Sequence, residues 1–103
     1  EIHCKKVYEN DHVLAFHDVK KKKKIHVLVI PKGEYIDLDD FNKNASDKEI
    51  IELCKAITHV SNLLGAKDKG YRSLTNIKSD GGQEVPHLHF HIFAGEKIGK
   101  MVS

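Results

Sequence analysis

Hydrophobic and polar residues alternate in several short runs of this chain, with the period of two that is typical of strands. Residues 7–8 and 13–16 are short apolar runs that predict strands, and the polar residues between them predict a β-hairpin. Residues 25–30 are almost all apolar and mostly β-branched, which predicts a central strand that ends at Pro31. Residues 71–77 alternate more weakly and predict a further strand.

One longer segment, residues 46–64, repeats with the spacing of an α-helix. Ser46 is followed three residues later by Glu49, which is the pattern of a capping box at a helix N-terminus. The apolar residues that then recur at helical spacing are Ile50, Leu53, Cys54, Ile57, Val60 and Leu64. Gly65 is placed to end the helix.

The remaining segments connect these elements. Residues 33–40 predict connecting chain with a short strand around Tyr35 and Ile36, and residues 79–82 predict a turn. Strands, one long helix and further strands, joined by short connections, favour a single α+β domain with a mostly antiparallel sheet.

Histidine and apolar residues alternate strictly across residues 87–92. Because side chains alternate along a strand, His87, His89 and His91 would share one face, and the apolar residues between them would face the core. Pro86 lies at the first residue of this run, where a strand tolerates proline. The glycine-containing loop at residues 81–83 would bring its backbone N–H groups to the end of the strand.

Three interpretations of this histidine face remain open from the residues alone. One histidine acts as a nucleophile when a second group fixes its tautomer and a third handles protons. The rings could instead bind a metal ion with His26 as a fourth ligand, although no cysteine or carboxylate lies at the usual short spacing. Solvent-facing histidines on an edge strand are the third interpretation, which three histidines in register make the least favoured.

Composition narrows the classes of function. The 103 residues suffice for one domain, and a net charge of +2 is too small to argue for nucleic acid as a partner. No apolar run approaches the ~20 residues of a membrane span, and no signal peptide is visible at the start. The two cysteines are far apart, so reduced thiols in a cytoplasmic protein are expected. The five consecutive lysines at residues 20–24 predict a solvated loop.

Residues 87–93 also fit a known motif, in which three histidines alternate with apolar residues and a further apolar residue follows. Three blocks accompany it: Phe-His-Asp-Val at residues 16–19, His-Val-Leu-Val-Ile-Pro-Lys at residues 26–32, and Asn76 with Ser-Asp-Gly-Gly-Gln at residues 79–83. In these blocks the sequence resembles the histidine triad (HIT) family. Lys-Gly-Tyr-Arg at residues 69–72 and the loop at residues 79–83 favour its Hint-type branch, the purine nucleoside phosphoramidases.

The resemblance implies a five-stranded antiparallel sheet with one long and one short helix, in a single HIT domain over residues 1–103. It implies a homodimer in which two copies pair through the long helix and a strand into one ten-stranded sheet. It also places residue 1 several positions into the family pattern, so an N-terminal family segment is expected to be missing. A purine nucleotide is the expected partner, and no metal, other cofactor, membrane or specific nucleic acid is expected.

The activity that the resemblance implies is cleavage of purine nucleoside 5′-phosphoramidates or acyl-nucleotides at the α-phosphate. His89 would attack phosphorus and form a nucleotidyl-histidine intermediate, which water would then hydrolyse to the nucleoside monophosphate. His91 would donate a hydrogen bond to a phosphoryl oxygen. His87, linked to His26, would orient the cluster and pass protons.

The resemblance also implies a nucleotide pocket. Asp18 would accept hydrogen bonds from the ribose hydroxyls, and apolar walls would stack the purine base. The Asn76 amide and two backbone N–H groups of the loop would hold the phosphate. The implied nucleotide-binding residues are Phe16, His17, Asp18, Val19, Leu28, Asn76, Gly82, Gln83, Glu84, His89 and His91.

Some features depart from the family pattern. Glu84 stands where animal members carry serine, and the tail after Gly95 lacks their tryptophan–proline ending, so the leaving-group preference and the role of the Glu84 side chain stay open. Cys4 beside His3 resembles part of a zinc site in some relatives, but the partner spacing is absent and no zinc is expected. A purine-nucleotide sensor or scaffold with incidental turnover would need the same pocket and is the alternative function.

Overall fold

A five-stranded sheet forms the centre of the computed structural model, which describes residues 5–101. His3 and Cys4, at which no zinc site was expected, lie outside the described residues. The strands are β1 (Lys6–Glu9), β2 (Val13–His17), β3 (Ile25–Pro31), β4 (Arg72–Leu74) and β5 (Phe90–Ala94). Their order across the sheet is β1-β2-β3-β5-β4, and each neighbouring pair is antiparallel. The predicted hairpin and the predicted central strand are therefore confirmed.

The predicted long helix is present as α2 (Asp47–Leu63). The Ser46 hydroxyl accepts the backbone N–H of Glu49 at 3.2 Å, and the Glu49 carboxylate accepts the backbone N–H of Ser46 at 2.9 Å. Gly65 follows with a φ of +77°, a left-handed conformation that glycine adopts without steric cost. Among residues 5–101, no helix has both the length and the apolar composition needed to cross a membrane.

One face of the sheet packs against α2 and forms the core. The strand residues of this core are Val13, Ala15, Val27, Val29 and Ile92, and α2 contributes Leu53, Ala56 and Val60. Alternation along each strand explains the set, because only every second side chain reaches α2. Cys54, which the helical spacing placed among the apolar residues, is instead exposed as a free thiol.

The short helix lies where the sequence predicted connecting chain. The strand predicted around Tyr35 and Ile36 is wrong, because the chain is irregular there and α1 (Leu38–Asn44) follows. The buried Asp37 caps α1 by accepting the backbone N–H of Asp40 at 2.8 Å. Besides its cap and its acidic first turn, this helix is stabilised by Phe41, which is buried in the core with Leu38 packed against it. The apolar pattern missed it because seven residues contain too few repeats of the helical spacing.

Two predicted strands are shorter than expected. β4 covers only three of the residues predicted at 71–77, and β5 begins at Phe90. The chain just before β5 bonds outside the sheet, since the backbone N–H of Leu88 donates to the Tyr35 carbonyl at 2.7 Å. His91 alone therefore lies within the strand, and the other two histidines of the motif lie in the segment that leads into it.

Candidate active site

A cavity of about 690 Å³ opens on the face of the sheet opposite α2. The four candidate catalytic histidines, His26, His87, His89 and His91, all line it, as does Asp18. His26 is almost completely buried, with its ring centroid 5.1 Å from that of His91. The fold therefore brings the histidines together although only two of them lie in strands.

A chain of hydrogen bonds fixes which ring nitrogens of His26 and His91 carry hydrogen. The backbone N–H of Lys22 donates to Nδ1 of His26 at 3.2 Å, so the neutral His26 ring carries its hydrogen on Nε2. This Nε2 lies 2.9 Å from Nδ1 of His91 and donates to it. The neutral His91 ring then carries its own hydrogen on Nε2, which is left to donate to a group in the cavity.

A separate bond fixes the ring of His89. Its Nδ1 lies 2.8 Å from the backbone carbonyl oxygen of His87, which can only accept, so Nδ1 carries the hydrogen. Nε2 of the neutral His89 ring therefore has an unshared electron pair. The rings of His89 and His91 meet edge to face with centroids 5.0 Å apart. The cavity thus holds a nucleophilic nitrogen beside a donor nitrogen.

Burial keeps two of these rings neutral. It lowers the pKa of His91 to about 4, with the neighbouring His89 and His26 rings adding to the effect and Asp18 opposing it. Burial also lowers the pKa of His26, again opposed by Asp18, whose Oδ2 lies 3.5 Å from Nε2 of His26. Neutral rings are what the hydrogen-bond chain requires, because each must donate from one nitrogen and accept at the other.

Because His91 is neutral in the folded protein, the free energy of unfolding should fall as the pH falls. The unfolded ring binds its proton near pH 6.5 and the folded ring near pH 4, so between these values the unfolded state holds more protons. We expect His91 to account for about 1 kcal/mol of the stability lost between about pH 7 and pH 5, since its ring is only partly shielded from solvent. Urea unfolding at both pH values measures this loss.

A glutamine at position 91 is the matched test of that loss. His91→Gln should show a smaller fall in unfolding free energy between the two pH values. His59→Gln, on an exposed part of α2, should keep the pH dependence of the parent chain. Equal pH dependence in the parent and His91→Gln proteins would contradict the assignment of a neutral, buried His91.

The backbone amide at position 22 sets the direction of the hydrogen-bond chain. Lys22→Pro removes the N–H that donates to His26, so neither tautomer of that ring is enforced any longer. We expect ¹⁵N spectra of this variant to show mixed tautomers for His26 and His91. Lys22→Ala keeps the amide and should show the single Nε2–H tautomer of the parent chain. A single Nε2–H tautomer in Lys22→Pro would disprove control by this amide.

The loop before the histidines holds one shape through contacts within itself. The side-chain amide of Asn76 donates to the carbonyl of Gly81 at 2.7 Å, which leaves its second N–H free. Gly81 has no room for a side chain, because a Cβ there would collide with the backbone of Ile77. The loop therefore depends on glycine at this position.

Lys78 and Gln83 fasten this loop to the segment before α1. Lys78 adopts a left-handed φ of 59°, which is uncommon for lysine, and its ammonium pairs with Asp37 at 2.8 Å. The Gln83 side chain donates to the Ile36 carbonyl at 2.6 Å, and its backbone N–H donates to the Lys78 carbonyl at 3.0 Å. The backbone N–H of Gln83 is thus already used, whereas that of Glu84 has no partner within residues 5–101.

Most of the predicted nucleotide-binding residues line the cavity, but three do not. Those that do, besides the histidines of the motif, are Phe16, Asp18, Leu28, Asn76, Gly82 and Glu84. His17 follows Phe16 in β2 and points to the opposite side of the strand. Val19 is 84% exposed, outside the cavity. The Gln83 side chain serves as a clamp on the loop.

The predicted link between His87 and His26 is wrong. His91 makes that hydrogen bond, because β5 pairs with β3 in a register that sets His91 opposite Leu28, beside His26. His87 lies before β5 and outside this pairing. It still lines the cavity, and its Nε2 is buried with no hydrogen-bond partner among the described residues.

Four cavity residues were not predicted: Lys20, Lys22, Ile30 and Val85. Ile30 had a signal, since it follows Leu28 by two positions in β3 and so shares its face. Lys20 and Lys22 had none, because a run of lysines by itself predicts only solvation. Lys22 contributes to the histidine chain through its backbone, which no side-chain pattern reveals.

The metal-binding interpretation would need imidazole nitrogens that are free to bind an ion. Both nitrogens of His26, the fourth ligand in that interpretation, are already bonded, Nδ1 to the backbone N–H of Lys22 and Nε2 to Nδ1 of His91. Within the part of the chain that the structure describes, no group of three or more His, Cys, Asp or Glu side chains is arranged to hold a metal ion.

Known proteins match this chain over nearly its full length. The HIT domain pattern matches residues 1–98. An uncharacterised HIT-like protein of Azospirillum brasilense is 50% identical over 103 residues, covering 100% of this chain and 84% of that protein.

Solved structures agree with these matches. A HIT family hydrolase from Clostridium thermocellum has a TM-score of 0.88 and 32% identity, covering 99% of this chain and 88% of that one. A histidine triad nucleotide-binding protein from Candida albicans has a TM-score of 0.77 and 26% identity, covering 88% of this chain and 65% of that one. With its two helices on a five-stranded antiparallel sheet and a pattern match over nearly its full length, the chain belongs to the HIT family.

Proposed function

We propose that this chain is a metal-independent hydrolase of the Hint type, which cleaves purine nucleoside 5′-phosphoramidates or acyl-nucleotides at the α-phosphate. The observation that carries the proposal is the fixed pair of rings, His89 with a free electron pair on Nε2 and His91 with a free Nε2–H. A nucleophile and a donor for the phosphoryl oxygen are the groups that such a reaction needs. The resemblance to one protein described as a hydrolase and one described as nucleotide-binding supports the substrate class.

The reaction proceeds in two steps through the His89 ring. The Nε2 electron pair of His89 forms a bond to phosphorus while the phosphorus–nitrogen bond to the amine breaks. The electron pair of that bond stays on the amine nitrogen, which takes up a proton supplied through the histidine cluster. Water then attacks phosphorus, gives its proton to the cluster, and displaces His89. The products are the nucleoside monophosphate and the free amine.

Three donors hold the phosphoryl oxygens in this proposal. They are Nε2–H of His91, the backbone N–H of Glu84, which has no partner within residues 5–101, and the second side-chain N–H of Asn76. Such preorganised donors stabilise the charge that develops on phosphoryl oxygen, as a metal ion does in other enzymes. His26 orients His91. His87, whose buried Nε2 has no partner in the part of the chain that the structure describes, carries protons.

The nucleoside binds along the strands. Phe16 and Leu28 are cross-strand partners, and Ile30 follows on the same face, so together they offer apolar walls for a purine base. The Asp18 carboxylate is held at one oxygen by the backbone N–H of Lys20 at 2.9 Å. A carboxylate fixed in this way accepts from both ribose hydroxyls and so selects ribose over deoxyribose.

Release of AMP from adenosine 5′-phosphoramidate by the purified chain tests the proposal. Rapid quenching into alkaline denaturant during turnover preserves an acid-labile phosphorus–nitrogen bond. Mass spectrometry of the peptide that contains His89 then tests the covalent intermediate. The alternative, a nucleotide sensor or scaffold, uses the same cavity. Tight binding of AMP with no release of AMP from the phosphoramidate would overturn the enzyme and favour the sensor.

A cytoplasmic homodimer is the assembly that fits this proposal. β4 lies at one edge of the sheet, where a second copy can add its own strand. Ile51 and Leu63 on α2 and Tyr71 beside β4 are exposed hydrophobic residues of the kind that interfaces bury. Light scattering of the pure chain should give twice its mass of 11.7 kDa, and a monomer would contradict the pairing.

A further inference from the structure

Glu84 carries two groups with opposite effects on a bound phosphate. Its backbone N–H has no partner within residues 5–101 and is available to a phosphoryl oxygen. Its carboxylate is exposed, forms no ion pair with the described residues, and lies within one side-chain length of that N–H. A carboxylate so near a phosphate repels it unless a cation lies between them.

A groove beside the cavity carries net negative charge, like the Glu84 carboxylate. Glu84 lines both the cavity and this groove of about 740 Å³, which runs between α1 and the loop. The ionisable residues of the groove are Asp37, Asp39, Asp40, Lys43, Lys78 and Glu84. Four carboxylates thus stand against two ammonium groups, and Lys78 is already shared by Asp37 and Asp39 at 2.8 and 3.0 Å. The groove is acidic.

The opposite end of the cavity is basic. Lys20 and Lys22 line it next to Asp18, and their side chains form no ion pair with the described residues. In the proposed binding mode the nucleoside lies between the strand walls and Asp18. We place the remaining substituent of phosphorus on the side of the loop, where Glu84 lines both the cavity and the acidic groove.

We propose that Glu84 and this acidic groove select leaving groups that carry positive charge. The inference rests on the proposed function and narrows it to nucleoside phosphoramidates of cationic amines rather than acyl-nucleotides. The nitrogen takes up its proton while it is still bonded to phosphorus, and the Glu84 carboxylate stabilises the positive charge on that protonated nitrogen and on any cationic group of the amine. When the phosphorus–nitrogen bond breaks, its electron pair goes to nitrogen and the amine leaves. A departing carboxylate would instead add a further anion beside Glu84 and the phosphate.

Two adenosine 5′-phosphoramidates of similar length test this selection. One is made from 1,3-diaminopropane and ends in an ammonium group, and the other is made from β-alanine and ends in a carboxylate. We expect the parent chain to prefer the ammonium compound in kcat/KM by about tenfold or more, with a smaller preference at high salt. Glu84→Gln should lower the preference about tenfold.

The ratio of the two kcat/KM values is the decisive readout, because partial loss of folded protein changes both values equally. Glu34→Gln makes the same substitution at an exposed position that lines neither the cavity nor the groove, and it should keep the parent ratio. A ratio that Glu84→Gln leaves unchanged overturns this inference while the hydrolase stands. Hydrolysis of neither compound by the parent chain overturns the hydrolase, and this inference with it.

Discussion

His89→Gly should lower kcat for adenosine 5′-phosphoramidate by about 10⁴-fold or more, because it removes the ring that we propose forms the bond to phosphorus. The affinity for AMP should change little, since Asp18 and the apolar walls of the cavity remain. Added imidazole should restore part of the turnover, because it can enter the space that the missing ring leaves. Steady-state kinetics and calorimetric titration with AMP measure the two effects separately.

His59→Ala is the control for removing a histidine as such. His59 lies on an exposed part of α2, where its ring contacts Tyr8 with centroids 4.7 Å apart, and it does not line the cavity. The His59→Ala variant should hydrolyse the phosphoramidate at close to the parent rate. If His89→Gly kept more than about a tenth of the parent kcat, His89 would not be the nucleophile.

Ile92→Ala should lower the free energy of unfolding by about 4 kcal/mol, within the usual range for a buried isoleucine. Ile92 is fully buried in the middle of β5, where it faces Val27 of β3 and packs in the core beneath α2. The surrounding strands cannot collapse onto the space without breaking their pairing, so a cavity should remain. For a chain of this size the loss corresponds to a fall in Tm of about 19 °C.

Ile36→Ala makes the same change at a residue that is 57% exposed. Its effect should stay within about 0.5 kcal/mol, because little apolar area leaves the interior. Urea unfolding of the two variants beside the parent chain gives both values. A loss below about 1 kcal/mol for Ile92→Ala would mean that the sheet relaxes into the space, contrary to the packing described above.

The sequence predicted the sheet, the long helix and the position of the histidines because these depend on side-chain spacing. Ser46 and Glu49 form a capping box at the start of α2, and the three-residue spacing of such a box can be recognised in the sequence. Leu88 and Ile92 are buried and the histidines between and before them line the cavity, as alternation requires. The roles of these histidines in catalysis stay predictions until turnover is measured.

What the sequence could not predict depends on backbone groups that every residue carries. The tautomer of His89 is fixed by a carbonyl, and that of His26 by the amide of Lys22. His26 bonds to His91 and not to the predicted His87 because of the register between β3 and β5. This register depends on tertiary pairing. The pattern of side chains along the sequence therefore predicts neither the tautomers nor the register.

The amide of Lys22 is an unusual part of a reactive centre, because nineteen of the twenty genetically encoded amino acids supply the same N–H there. Any replacement except proline therefore keeps the direction of the hydrogen bonds between the rings. The Lys22 side chain has a separate effect, because its ammonium lines the cavity and helps to lower the pKa of His26 and of His91, so a neutral or acidic replacement would raise both pKa values without turning either ring.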